Sequence, residues 1–284
     1  MKLMKKISIL LILILLVSMM GGCISKKTTA DDDSNPGNTD SVVTDDNGSP
    51  EPDTDDNSPD ETFEAGQELS GFIQAYLDTK EPLYDKLSTA TETDFTMMMA
   101  WVGILTADLT IAFVPLFDLV DANGGVFMMT EIDNAFKKIN GNTIDFGYDY
   151  LYKADNNSGF PAGSHSTFVG KYNIAKNSMS IETVDDKGTD GITRTVMEIT
   201  RNAADSYTTQ YITSNAKEIT AYFTFFSGES FLSYAATKDQ GIDFTFNSIY
   251  EKSNPTIDDM NAGFTLTSTI KYAGGTATYE TMTE

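Results

Sequence analysis

The hydrophobic pattern along the chain changes period once. Between residues 66 and 90, Leu69, Phe72, Ile73, Tyr76 and Leu77 recur at three- and four-residue spacing, which predicts an amphipathic helix. Pro82 breaks or restarts it, with Leu83, Tyr84 and Leu87 continuing the stripe. Residues 95–120 are then apolar almost all round, running through Met97, Met98, Met99, Trp101, Leu105, Phe113 and Phe117, with Asp94, Asp108, Asp118 and Asp121 as the only charges in or beside the run. Thr93 or Asp94 can cap its start. Pro115 kinks it or ends its first part, and Asn123-Gly124-Gly125 is a stop signal. A further short helix is expected over 126–139, with Phe127, Ile132, Phe136 and Ile139 inward and Lys137 and Lys138 near its end, where they suit the helix dipole.

From residue 142 the period is two. Ile144, Phe146, Tyr148, Tyr150 and Tyr152 alternate with polar residues, and so do Phe168, Gly170, Tyr172 and Ile174. Similar runs are centred on Met179 to Thr183, Ile192 to Arg201, Tyr207 to Tyr211, Ile219 to Phe226, Phe231 to Ala236, Ile242 to Tyr250, Phe264 to Tyr272 and Thr276 to Glu280. Connections are mostly short and polar, with Asp/Gly clusters at Asp185-Asp186-Lys187-Gly188 and Asp239-Gln240-Gly241, so the strands join as hairpins in an antiparallel meander. Threonine-rich alternates predict one wet face and one buried face.

These elements make an α+β fold: N-terminal helices packed on a curved, half-barrel-like antiparallel β-sheet of about nine or ten strands. A helix apolar on every side belongs to a core or a membrane, and Asp108 near mid-run disfavours a bilayer. The expectation is a buried helix covered by the sheet; a membrane span, or a face partly exposed for lipid or partner binding, are the alternatives. By element order the chain is similar in architecture to the half-barrel-plus-helix lipoprotein carriers and lipid-binding envelope proteins. No motif accompanies that resemblance, and fold alone does not establish function; it is the apolar 95–120 stretch facing an aromatic-rich sheet that predicts an apolar ligand or lipid between helix and sheet, lined by Met98, Trp101, Leu105, Phe113 and Phe117.

The first residues place the chain in a compartment. Lys2, Lys5 and Lys6 precede an uncharged apolar run from Ile7 to Met20, a secretory signal pattern too short for a comfortable membrane span. Met20-Gly21-Gly22-Cys23, with the only cysteine of the chain, resembles the lipobox of prokaryotic lipoproteins, with Met20 where a branched residue or Leu is usual. The resemblance implies cleavage before Cys23 and diacylation of its thiol. An ordinary signal peptide or an uncleaved anchor are the competing readings. Residues 24–64 are rich in Asp, Pro, Gly, Asn, Ser and Thr, with almost nothing to bury, and read as a disordered acidic tether. The expected organisation is a signal peptide over 1–22, lipidated Cys23 and tether over 23–64, and a single domain over 65–284, helical to 140 and sheet from 141.

The formal net charge of −23 excludes nucleic acid, whose binding needs Lys and Arg on phosphates. It also disfavours anionic lipid surfaces. With no cysteine after Cys23, disulfides and Cys-rich zinc sites are excluded from the domain. The single histidine, His165, sits in a loop-like stretch between Ser164 and Ser166, without a Gly-x-Ser-x-Gly elbow, and reads as a surface residue. Asp185, Asp186 and Asp190, and separately Asp155 to Gly159, read as polar turns, with weak calcium binding as the alternative. Asp108 and Asp118, costly if buried unpaired, face outward or meet Arg194, Arg201 or a sheet lysine.

The expected function is therefore non-enzymatic, with no cofactor, metal or catalytic residue. The protein is expected to sit in the cell envelope, held to the membrane through Cys23, and to bind an apolar small molecule or lipid. The alternative is an interaction protein that meets a protein or glycan through its sheet face, for which exposed Tyr148, Tyr150, Tyr207 and Tyr211 would be the contact residues.

Overall fold

A computed structural model describes residues 68–90, 108, 110–120, 134–153, 161–188, 191–214, 218–239 and 241–282, with helix side chains described as far as residue 83. The leader, Cys23, the tether, Met98, Trp101, Leu105 and the Asp155–Gly159 turn lie outside the described residues. Ten strands form one sheet in which each is hydrogen-bonded to its neighbours in sequence, every pair antiparallel. They are β1 (Phe136–Asn140), β2 (Thr143–Leu151), β3 (His165–Asn173), β4 (Ser178–Asp186), β5 (Ile192–Ala203), β6 (Ser206–Ser214), β7 (Ile219–Ser227), β8 (Ser230–Lys238), β9 (Thr265–Ala273) and β10 (Thr276–Thr281). The meander expected from the period-two pattern is the observed topology, and sheet greatly outweighs helix among the described residues.

Helix α1 (Leu69–Ala90) follows the predicted stripe. Leu69, Phe72, Ile73, Tyr76, Lys80 and Leu83 are all buried, and their spacing keeps them on one face. The helix runs through Pro82 instead of breaking there. Burial on both sides of the proline, at Lys80 and Leu83, holds the turn in place against the lost hydrogen bond. Phe72 meets Tyr172 of β3 with ring centroids 4.7 Å apart, and Tyr76 meets Tyr207 of β6 edge-on at 5.3 Å. Fully burying one such side chain contributes roughly 1.5–3 kcal/mol. The end of the 95–120 run is a 3₁₀ segment (Val114–Leu119) with Pro115 in its first turn, and Phe117 there meets Phe146 at a tilt and stacks on Phe168, with ring centroids 5.2 Å apart in each pair. Gly170 makes room for this layer: a Cβ on it would stand 2.2 Å from the Phe146 ring.

Three expectations fail. Residues 136–140 are strand β1, not the end of a helix, and Ile139 is exposed. The stretch is short and pairs along β2 as the edge strand, and Lys137 turns to Asp118 instead of ending a helix. Residues 242–250 alternate but form no strand. The expected wet face is also covered over β5–β8. There the connection 241–264 lies across the sheet as a strap, carrying the short helix α2 (Ile257–Met260), whose N-cap Thr256 and Asp259 form a capping box. Phe244, Ile249, Met260 and Phe264 of the strap bury Val196, Ile212, Ala221, Phe223 and Ala236. The sheet thus has a core on each side, and six consecutive residues of β5, Thr195 to Thr200, are buried.

Candidate functional site

Two buried polar clusters and one open cleft carry the chemistry of the described residues. The first cluster is under α1. The Lys80 ammonium donates to Asp108 Oδ1 at 2.6 Å and to the Tyr76 hydroxyl at 3.0 Å, and Tyr76 itself donates to Asp108 at 3.1 Å. Lys80 also lies over the Phe226 ring, 4.5 Å from its centroid. Burial pushes the Lys80 ammonium below its ordinary pKa and Asp108 above its own, while their mutual attraction opposes both shifts. Burial, then the Asp108 charge, holds the Tyr76 hydroxyl protonated. Asp108 Oδ2 is buried without a partner among the described residues. With Lys80 1 % exposed, the cluster is closed to a substrate and acts as a latch between α1 and the 108–120 segment.

Asp118 does related work nearby. It accepts from the Leu69 and Ser70 amides at 3.2 and 2.8 Å, capping α1 from another segment, and it pairs with Lys137 of β1 at 2.5 Å. The sequence had offered Arg194, Arg201 or a sheet lysine for these carboxylates. Asp118 takes the sheet lysine, whereas Asp108 takes Lys80, which the sequence reading passed over. The signal was present: Lys80 stands four residues after Tyr76 on the apolar stripe of α1.

The second cluster fastens the strap. Glu198 of β5, 1 % exposed, accepts from Gln210 Nε2 (2.6 Å), Ser248 Oγ (2.7 Å), Ser180 Oγ (3.1 Å) and the Ile249 and Tyr250 amides (2.6 and 3.3 Å). Thr200 donates to the Ile249 carbonyl at 3.0 Å, and the Arg194 guanidinium donates to the Phe244 carbonyl at 2.9 Å while lying over the Phe244 ring. Strap backbone groups are therefore taken by sheet side chains, which is why the alternating residues 242–250 do not pair as a strand.

The cleft opens where the strap leaves this face, with a volume of about 330 Å³. A cross-strand row forms its floor: Thr208 of β6, Phe225 of β7, Leu232 of β8 and Lys271 of β9 stand directly opposite one another in turn. Asn202, at the register shift of β5, donates through Nδ2 to Thr208 Oγ1 at 2.9 Å, and its Oδ1 is buried without a partner. Asn254 and Pro255 of the strap complete the lining, and Asn254 has the left-handed φ of 48°.

No protein-family model, curated protein or solved structure matches this chain.

The remaining sequence candidates fall elsewhere. His165 is the first residue of β3 and pairs with Asp149 on the exposed side of β2–β3. Ser166, its neighbour, points to the other face and donates to Asp185 at 2.6 Å, so serine and histidine do not meet as nucleophile and base. Among the described residues no group of three or more His, Cys, Asp or Glu is placed to hold a metal ion. Tyr207 is fully buried, and Tyr148, Tyr150 and Tyr211 are half-buried against the helix-side core, so the full exposure expected of these four rings is not found. Of the expected apolar lining, Phe117 is core and Phe113 is 43 % exposed. Among the described residues no helix is long and apolar enough to cross a membrane.

Proposed function

We propose that the chain is an extracytoplasmic lipoprotein, held at a membrane by acyl chains on Cys23, whose sheet domain works by binding and not by catalysis. Its binding surface in this reading is the strap side of the sheet. One contrast carries the choice: under α1 the space is filled by the rings of Phe72, Tyr76, Tyr172, Tyr207 and Phe226, whereas the strap side holds an open cleft with hydrogen-bonding groups on its walls. The sheet is taken as curled and half-barrel-like, since a strongly twisted sheet of this width curls, and the likeness to lipoprotein carriers is then one of shape.

Two acyl chains suffice for stable attachment, each buried methylene contributing about 0.8 kcal/mol. Cys23→Ser removes the acceptor thiol. Fractionation is expected to find the variant released from membranes; persistence in the membrane fraction overturns the anchor. A second reading, an apolar ligand or lipid between helix and sheet along 95–120, is favoured by the exposure of Phe113. Solvent extraction of the purified protein separates the two, because that reading requires co-purifying lipid.

A further inference from the structure

We infer that the row Asn202–Thr208–Phe225–Leu232–Lys271 is a subsite for an acidic glycan, a chain of sugars carrying uronic-acid carboxylates. The inference rests on the proposed binding role of the strap face and names its ligand.

The row lies on a sheet face, not on an edge. The backbone N–H and C=O groups of β6, β7 and β8 are engaged in pairing with the strands on either side. A peptide laid across these strands finds no backbone ladder to extend, so the surface reads its ligand through side chains alone. Those side chains suit a sugar. Phe225 and Leu232, both half-buried, give an apolar patch for the C–H face of a pyranose ring. Ser206 and Ser230 use their protons on the Phe226 and Ser227 carbonyls, at 3.0 and 2.8 Å, and keep lone pairs for incoming hydroxyls. Asn202 Oδ1, buried and unpaired, is an acceptor that a ligand hydroxyl would satisfy.

Charge selects the acid. Lys271 is exposed, makes no ion pair among the described residues, and is the one charged residue in a lining that contains no carboxylate. In a protein of net charge −23 this is a local exception, and charges beyond about 8 Å are largely screened at physiological salt. Length selects a chain of sugars over a single one. Asn202 and Lys271 stand four strand intervals apart, about 19 Å at the usual spacing of 4.7–4.9 Å per interval.

Calorimetry on the full-length chain, with trigalacturonic acid and its neutral counterpart maltotriose, tests this. The acidic trimer is expected to bind more tightly than the neutral one, with the difference shrinking as salt rises. Lys271→Met is expected to weaken the acid at least tenfold and to abolish the preference; Asn202→Ala weakens both sugars severalfold. Unchanged melting curves establish that the variants fold. Equal binding of both trimers, absence of heat from either, or indifference to Lys271→Met overturns the inference. Any of these outcomes leaves the Cys23 anchor to stand or fall on fractionation.

Discussion

Lys80 shows how a single residue can look wrong in sequence and be required in the fold. A lysine on the apolar stripe of a helix is expensive to bury, and Asp108 and Tyr76 offset that cost by direct hydrogen bonds. Removing one partner alone leaves the other charge stranded. Lys80→Met is accordingly expected to lower stability by about 3–5 kcal/mol, measured by urea unfolding, with Lys80→Met/Asp108→Leu recovering most of the loss. If the double variant is no more stable than the single one, the pair is not acting as a unit. The position was legible to anyone counting the helical period. Its partner was not, because the carboxylate comes from 28 residues away.

At the scale of elements, period predicted type well wherever backbone hydrogen bonds are local or pair with the next strand. Nine of the ten observed strands coincide with alternating runs in the sequence. The two misreadings have different causes. Residues 136–140 carry too few positions to fix a period, and residues 242–250 carry a strand pattern whose last two amides, of Ile249 and Tyr250, are claimed by Glu198, 51 residues from Ile249. Alternation reports which side chains go inward, not which acceptor meets the backbone. Glu198→Ala leaves the Ile249 amide as a buried donor without an acceptor, while Gln210 Nε2 keeps the Asn247 carbonyl and the Tyr250 amide keeps Ser248 Oγ. The expected cost is about 1–3 kcal/mol, the range for one such orphan. Hydrogen exchange is expected to accelerate at Ile249 and Tyr250 well before the β5–β6 ladder; uniform exchange across both would mean that the strap is not held by this carboxylate. The cleft was beyond the sequence for the same reason. Thr208, Phe225, Leu232 and Lys271 are scattered over the chain, and only the register of four strands places them in a row.

At the scale of the whole molecule, the fold holds six tyrosines in protonated form. Burial raises the pKa of Tyr76, Tyr148, Tyr172, Tyr207 and Tyr211, and Tyr250, desolvated and beside Glu251, is pushed up to about 12. The unfolded chain releases these protons near pH 10, while the folded chain keeps them. Between about pH 10 and 12 the native state therefore binds more protons than the unfolded one, and stability falls as pH rises. Absorbance at 295 nm is expected to show a late, steep phenolate transition that coincides with loss of the far-ultraviolet β signal. A gradual titration centred near 10 with the fold intact would contradict it.

The order of the sheet has one more consequence. Because every strand lies beside its predecessor in the chain, a polypeptide delivered end-first can zip up as it arrives, each new segment meeting a template already laid down. Helix α1 comes earliest, so the surface on which β3 and β6 later settle is synthesised before they are. Among the described residues, 241–264 interrupt this progression, since they must wait for β5 to β8 before they have anything to lie across. Assembly of this kind needs little chain to be held in reserve, which would suit the export proposed above.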